Sequence, residues 1–183
     1  SQIRGGHNYH TIRISKEDVG ADVQKINILI ALDQFTLDKH LNNVEQGGVV
    51  LINGKLKHEE KESIKFIPIN LLEIEQKLKQ ENLSNAVFFG AVAKCLNFSW
   101  EICEKTIKEH FIHKNVLLKI FSDASLLGYN YVDNIFNYPS HNIVEDLSLI
   151  NGNDAISLGA LKAGLTFHVQ YPMTPVTGIL HYL

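Results

Sequence analysis

The sequence is poor in the residues that mark secreted, zinc-binding and membrane proteins. It has two cysteines in 183 residues, too few for a disulfide framework, a zinc site or the four thiolates of an iron–sulfur cluster. No apolar run approaches the roughly 20 residues that span a bilayer, and residues 1–4 contain neither an initiator methionine nor a signal-peptide core. We therefore expect a cytoplasmic protein, without a membrane partner, that is cut from a longer chain.

Charge of one sign is also scarce. Lysine and arginine number 17 and aspartate and glutamate 20, for a formal charge of −3, and the densest charged stretch, His58–Glu62, is of mixed sign. Nucleic acid is therefore not expected as a partner. The chain also lacks a P-loop, a G-x-G-x-x-G loop and a Ser–His–Asp signature. What it has is 45% hydrophobic residues, enough for one complete core and part of another.

The first third of the chain has strand patterns. Four segments alternate or are continuously apolar: His7–Ser15, Ile26–Leu32, Val49–Ile52 and Lys65–Ile69. The second and third are typical of strands that helices bury on both faces, as in a parallel sheet. Thr36 is a candidate N-cap for a short helix, Leu37–Glu45. This part is predicted to be a layered α/β domain with a mixed or parallel sheet.

A helical part follows. Apolar residues recur every three or four positions in four segments, Leu71–Glu81, Asn85–Leu96, Trp100–Phe111 and Asn115–Gly128. Residues 130–151 lack either period and are rich in Asn, Ser, His and Tyr, as in an interdomain linker. The predicted boundaries are residues 1–129 for the first domain, 130–151 for the linker and 152–183 for the start of a second domain.

The second domain is predicted to open with helix, strand and helix. Asn153 is a candidate N-cap, Gly164 a C-terminal stop, and Thr166–Tyr171 a strand. The first helix carries small residues on one face that would pack close to a sheet: Ala155, Gly159, Ala160 and Ala163. Thr174 suits the N-cap of the last helix and Pro175 its first position.

Two places are candidates for binding. Thr174 would lie at the carboxyl end of a strand and the amino end of a helix, where a substrate carboxylate fits, although an N-cap role alone explains the same residue. Arg4-Gly5-Gly6 offers a guanidinium fork and a close backbone approach, although a turn before the next strand also explains it.

Metal sites and an acid catalyst are not favoured. His7 and His10 would point to opposite faces of a strand, and the pair His110 and His113 has no third ligand nearby. Asp33 is interpreted as a turn or cap residue.

Two sets of motifs resemble one family. The segment Ile3–Ser15 (IRGGHNYHTIRIS), followed by Ile26–Asp33 (INILIALD) and Gly47–Val49, resembles the gamma domain of 2-oxoacid:ferredoxin oxidoreductases. Gly152–Ala160 (GNDAISLGA) and Tyr171–Pro175 (YPMTP) resemble the start of the alpha subunit's pyrimidine-binding domain in the same family. The sequence does not distinguish pyruvate, 2-oxoglutarate, branched-chain and aryl 2-oxoacids as substrates, and the fused gamma–alpha order alone gives a preference for the 2-oxoglutarate-like group.

The resemblance implies a reaction and its cofactors. Such enzymes oxidatively decarboxylate a 2-oxoacid with coenzyme A on thiamine diphosphate and Mg²⁺, and pass electrons through iron–sulfur clusters to ferredoxin. The thiamine and a cluster belong to a separate beta subunit, which would be the main partner. This polypeptide alone is therefore expected to bind none of these cofactors and to be inactive.

The resemblance also implies site residues. Thr174, with Pro172 and Tyr171, would contact the substrate, and Arg4, Gly5 and Gly6 would form a coenzyme A or interdomain contact. Val176 and Gly178 depart from the family pattern, whereas Thr177 keeps it.

Two other readings stay open. In the first, the gamma-like portion is a structural module, and the helices of residues 71–128 join catalytic subunits. The second is an unrelated nucleotide-binding α/β protein, which would need a phosphate-binding glycine loop.

Overall fold

The structure is a computed structural model that describes residues 7–15, 19–21, 23–111, 115–136 and 150–183. The chain divides into two compact units, Ser1–Pro139 and Ser140–Leu183. None of the helices in the described ranges is long and apolar enough to cross a bilayer.

The first unit is built on a three-stranded parallel sheet. Its strands are β1 (Ile26–Ala31), β2 (Val44–Asn53) and β3 (Ile64–Ile69), in the order β1-β2-β3. Val49 to Ile52 on the central strand are 0% exposed, which confirms the buried strand predicted there. The strand predicted at Ile26–Leu32 is present as β1, but its predicted burial on both faces is wrong. Ile30 is 40% exposed, because β1 is an edge strand of the sheet.

Helices cover the sheet on two faces. They are α1 (Gln34–His40), α2 (Leu71–Leu78), α3 (Ser84–Cys95), α4 (Trp100–His110) and α5 (Asn115–Tyr131). Val49 and Leu51 pack against residues of α2, α3 and α5, whereas Val50 and Ile52 pack on the opposite face with Leu37 of α1. The predicted parallel sheet and the four helices after residue 70 are confirmed.

Helix α1 begins earlier than predicted. The Asp33 carboxylate accepts a hydrogen bond from the backbone N–H of Thr36 at 2.7 Å, so Asp33 and not Thr36 is the N-cap. The helix ends at His40, a 3-10 turn follows at Leu41–Asn43, and Glu45 already lies in β2. The cap interpretation of Asp33 is confirmed.

The strand predicted at His7–Ser15 is wrong, since these residues belong to no ladder. Ile12 is 85% exposed and Ile14 59% exposed. Alternation makes a segment suitable for a sheet, but a strand also needs a neighbour for its backbone hydrogen bonds, and this segment pairs with none of the described strands.

Glycines bring α3 and α5 into backbone contact. A Cβ on Gly90 would overlap the carbonyl oxygen of Ser125, and a Cβ on Gly128 would overlap that of Val87. We call this contact the glycine seam. Helix α5 was predicted to end at Gly128, but it continues to Tyr131.

Part of the predicted linker packs on the first unit. Val132 is 7% exposed, and the backbone N–H groups of Ile135 and Phe136 donate to the Cys95 carbonyl at 3.2 and 2.8 Å. Residues 137–149 lie outside the described ranges.

The second unit contains α6 (Gly152–Lys162) and α7 (Thr177–Tyr182). Asn151, not the predicted Asn153, caps α6: its side chain accepts from the Asp154 N–H, and the Asp154 carboxylate accepts from the Asn151 N–H. Gly164, with φ of +88°, ends the helix as predicted. The Leu165 N–H donates to the Ala160 carbonyl there, as in a Schellman motif.

The strand predicted at Thr166–Tyr171 is not formed, since these residues belong to no sheet. Phe167, Val169 and Tyr171 are 80%, 75% and 79% exposed, and the described residues of this unit include no strand to pair with it. The small-residue face of α6 consequently has no sheet to pack on, and nothing lies within 4 Å of the Cβ position of Gly159.

Candidate functional site

The first candidate site is the loop Tyr171–Val176, called here the Thr174 loop. The Met173 N–H donates to the Tyr171 carbonyl at 2.8 Å, and the Val176 N–H donates to the Met173 carbonyl at 3.0 Å. The Thr174–Pro175 peptide bond is cis. Helix α7 begins only at Thr177, and its N-cap is Val176, so the predictions of Thr174 as N-cap and of Pro175 as first helical residue are wrong.

Two neutral amides hold the end of this loop. Asn153 of α6 donates from Nδ2 to the Pro175 carbonyl at 2.9 Å. Gln170 donates from Nε2 to the Val176 carbonyl at 2.8 Å, and its Oε1 lies 2.8 Å from His168 Nε2. Two consecutive carbonyls are thus fixed, one by α6 and one by the residue that precedes the loop.

The loop presents its side chains outward. Thr174 is exposed, Tyr171 is 79% exposed and Met173 is 60% exposed. Thr174 offers a neutral hydroxyl that can donate to a ligand oxygen. Thr174, Tyr171 and Pro172 therefore lie together on one loop, as the sequence predicts, although their binding role stays a prediction.

The second predicted site, Arg4-Gly5-Gly6, lies outside the described residues. The chain next to it meets the carboxyl end of β1, where His7, Asn8, Asp33 and Phe35 line an open cleft of about 590 Å³. Open α/β sheets bind ligands outside the carboxyl ends of their strands.

Histidine 7 contacts a residue that the sequence did not indicate. Its Nε2 lies 2.8 Å from Nε2 of His40, and Tyr9 packs against both rings. Desolvation, followed by the nearby His7 and Lys39, lowers the pKa of His40 below its usual value. The argument that placed His7 and His10 on opposite faces of a strand no longer applies, because there is no strand. His40 follows no motif, so only the fold could find it.

The cysteines and acidic residues do not form a metal centre in the described ranges, which contain no group of three His, Cys, Asp or Glu side chains able to hold an ion. Burial raises the pKa of the Cys95 thiol to about 11 and also raises the pKa of Cys103. Both thiols are therefore less readily ionised than a free cysteine. His113 lies outside the described residues.

Comparisons with known proteins point to one family. The family model described as pyruvate ferredoxin/flavodoxin oxidoreductase matches residues 1–131. A 2-oxoacid:ferredoxin oxidoreductase alpha subunit from a Sulfolobus species is 24% identical over 97% of this chain and 35% of its own length. The 2-oxoglutarate synthase subunit KorC of Methanocaldococcus jannaschii is 31% identical over 58% of this chain and 60% of its own length. The chain thus spans about a third of the longer relative.

Solved structures show the same fold. The 2-oxoglutarate:ferredoxin oxidoreductase of Magnetococcus marinus, solved with 2-oxoglutarate, coenzyme A and succinyl-CoA bound, matches 92% of this chain and 31% of its own chain, with a TM-score of 0.77 and 21% identity. The keto/oxoacid ferredoxin oxidoreductase gamma subunit of Geobacter sulfurreducens matches 57% of this chain and 63% of its own, with a TM-score of 0.51 and 21% identity.

Proposed function

The chain belongs to the pyruvate ferredoxin/flavodoxin oxidoreductase family, and we propose that it is part of an enzyme that oxidatively decarboxylates a 2-oxoacid to an acyl-CoA and reduces ferredoxin. One observation carries the proposal. The similarity to the Sulfolobus alpha subunit extends over 97% of the chain, so it includes the gamma-like and the alpha-like motifs in the same order.

We assign residues 1–129 to a gamma domain, 130–151 to a linker whose first residues, up to Phe136, pack on that domain, and 152–183 to the start of the alpha pyrimidine-binding domain. The division of the chain into units at Pro139 and Ser140 falls inside this linker. We propose 2-oxoglutarate as the substrate, because the Magnetococcus and Methanocaldococcus relatives are both named for it.

Thr174 is assigned to substrate binding, with Pro172 and Tyr171 shaping its surroundings. A 2-oxoacid carries a carboxylate next to a carbonyl, and all of their oxygens accept hydrogen bonds. The exposed Thr174 hydroxyl can donate to one of them, and the fixed loop keeps it in place.

We assign thiamine diphosphate, Mg²⁺ and the iron–sulfur cluster to other parts of the complex. Bound thiamine diphosphate supplies the electron sink for decarboxylation, and the proposed beta subunit would hold it with Mg²⁺ and an iron–sulfur cluster. Two observations support this assignment: the sequence has two cysteines where a cluster takes four thiolates, and no three His, Cys, Asp or Glu side chains able to hold an ion meet in the described ranges. Arg4, Gly5 and Gly6 are proposed to contact coenzyme A or a neighbouring domain, and ferredoxin is the proposed acceptor.

The test is a Thr174→Val substitution in the full-length gene product, co-expressed anaerobically with its beta-type subunit. Valine keeps the shape and removes the hydrogen bond, so kcat/KM for the 2-oxoacid should fall about 10-fold, as expected for roughly 1–2 kcal/mol. The measurement is 2-oxoacid- and coenzyme A-dependent reduction of a viologen dye.

Thr106→Val is the matched control. The Thr106 hydroxyl bonds only within α4, to the Ile102 carbonyl at 2.9 Å, so its loss should leave the kinetics unchanged. Unaltered kinetics for Thr174→Val would remove Thr174 from the site.

An assembly role is the second candidate, favoured by apolar side chains that the helices leave exposed. Leu72 of α2, Ile102 of α4 and Leu117 of α5 are 45%, 54% and 50% exposed. If these helices only join subunits, an assembled and cluster-loaded complex would reduce no dye with any 2-oxoacid. Ile102→Lys would then prevent assembly.

A further inference from the structure

We propose that Asn153 is a positioning residue that fixes the Thr174 loop for binding of the 2-oxoacid, an inference that rests on the function proposed above. Its amide Nδ2 donates to the Pro175 carbonyl at 2.9 Å, one residue beyond Thr174. This bond joins α6 to the loop across 22 positions of sequence.

The local structure makes the Asn153 side chain available for this contact. The N-terminus of α6 is already capped by the reciprocal bonds of Asn151 and Asp154. The Asn153 carbonyl accepts from the buried Ser157 hydroxyl at 2.8 Å, which holds the backbone of residue 153. The amide of Asn153 is therefore not needed by its own helix.

Gly178 leaves the space that the amide occupies. A Cβ at residue 178 would lie 2.7 Å from Asn153 Nδ2 and 3.4 Å from its Cβ and Cγ. Real side chains essentially never approach so closely, so any larger residue at 178 would have to displace the Asn153 amide. Asn153 and Gly178 thus act as one unit, in which the glycine permits the hydrogen bond.

The chemistry of the anchor suits an anionic substrate. Asn153 and Gln170 both hold backbone carbonyls with neutral N–H donors, so they fix the loop without placing a charge beside the 2-oxoacid. Misplacing a binding group by about 1 Å can cost up to 100-fold in rate. Loss of the anchor should therefore weaken substrate use with little effect on the fold.

The experiment compares two identical chemical changes on α6 in the assembled enzyme. Asn153→Asp replaces the donor with a carboxylate that repels the Pro175 carbonyl, and the KM for 2-oxoglutarate should rise about 10-fold with a smaller change in kcat. Asn151→Asp is the control. Aspartate caps a helix as well as asparagine does, so its KM should stay at the wild-type value.

A second variant reaches the same bond from the other side. Gly178→Ala should displace the amide and raise the KM as Asn153→Asp does. Because both remove one hydrogen bond, the double variant should be no worse than the more severe single variant. In a Thr174→Val background, Gly178→Ala, which adds no charge beside the substrate, should add nothing to the KM.

The outcomes separate the two proposals. If Thr174→Val impairs the enzyme while Asn153→Asp behaves like Asn151→Asp, the positioning role is overturned and the proposed function stands. A lower Tm without a change in KM would also overturn it, since that marks a structural role. If Asn153→Asp raises the KM but Thr174→Val does not, both the role of Thr174 and positioning through it are overturned.

Discussion

The two units of the chain contain similar apolar residues but bury them very differently. In the first unit, four consecutive residues of β2 are completely buried. In the second unit, Ser157 is the only described residue that is buried, and Phe167 is 80% exposed. In this chain the apolar residues are buried where helices cover a paired sheet, and they stay exposed where the described residues provide no second layer.

Energy explains why the sheet decides the outcome. Burying a leucine or phenylalanine side chain contributes about 1.5–3 kcal/mol, but only if the other layer is present. In the first unit, helices supply that layer on both faces of β2. The described part of the second unit has α6, α7 and a connecting segment without regular structure, and Ile156 of α6 is 60% exposed.

The largest expected effect comes from removing one apolar side chain from each unit. Leu51→Ala leaves a cavity in the centre of the first unit and should lower its free energy of unfolding by about 2–5 kcal/mol. Phe167→Ala removes a larger side chain from the second unit but should change stability by less than about 0.5 kcal/mol. Urea unfolding of the chain followed by circular dichroism measures both, and similar losses would contradict the contrast between the units.

An intermediate effect is expected from adding one methyl group to a helix in each unit. Gly128→Ala forces α5 away from the Val87 carbonyl and should destabilise the first unit by about 1–3 kcal/mol. Gly159→Ala enters open space on α6 and should stabilise that helix by about 0.5–1 kcal/mol. Hydrogen exchange of α5 and α6 amides reads the two changes separately. Equal signs would show that the glycine seam is not a close contact.

The smallest effect distinguishes an ionisable helix cap from a neutral one. The hydrogen bond from the Thr36 N–H holds the pKa of Asp33 below its usual value. The folded pKa is thus below the unfolded one, so the cap stabilises α1 above about pH 4 and this contribution is lost as pH falls through the folded pKa. Asn151, the N-cap of α6, is an amide that does not titrate, so its cap should not depend on pH in this range.

The measurement is exchange of the Thr36 amide between about pH 5 and pH 2.5, corrected for the intrinsic rate. Protection should fall with pH in the wild type. It should stay level in Asp33→Asn, because asparagine caps without titrating. A parallel decline in the variant would place the acid sensitivity elsewhere.

The sequence predicted the elements that depend on local pattern. The apolar run Val49–Ile52 was sufficient to predict the buried strand, and the periodic apolar residues after Leu71 were sufficient to predict the helices. A continuous apolar run and a 3.6-residue period can both be read directly from the sequence. Segments 7–15 and 166–171 failed because a strand needs a partner, and alternation does not show whether one exists. The helix caps failed by two or three residues, since Asp33 and Thr36, like Asn151 and Asn153, are all suitable cap residues.

The candidate site was predicted in part. Thr174, Pro172 and Tyr171 were assigned by resemblance to the family; they lie on one exposed loop, and their binding role stays a prediction. The sequence indicated Asn153 only as a helix cap. Its contact with Pro175 could not be predicted, because it joins residues 22 positions apart and follows no periodic pattern. Arg4-Gly5-Gly6 stays a prediction.

The glycine seam limits how the sequence of this family member can change over time. Positions 90 and 128 touch carbonyl groups of the opposite helix, so no rotamer change can make room for a side chain at either one. A single substitution there is harmful, and a second one on the other helix cannot compensate for it, because both push the helices apart. Neutral drift should therefore leave both positions unchanged while the exposed surfaces of α3 and α5 diverge freely.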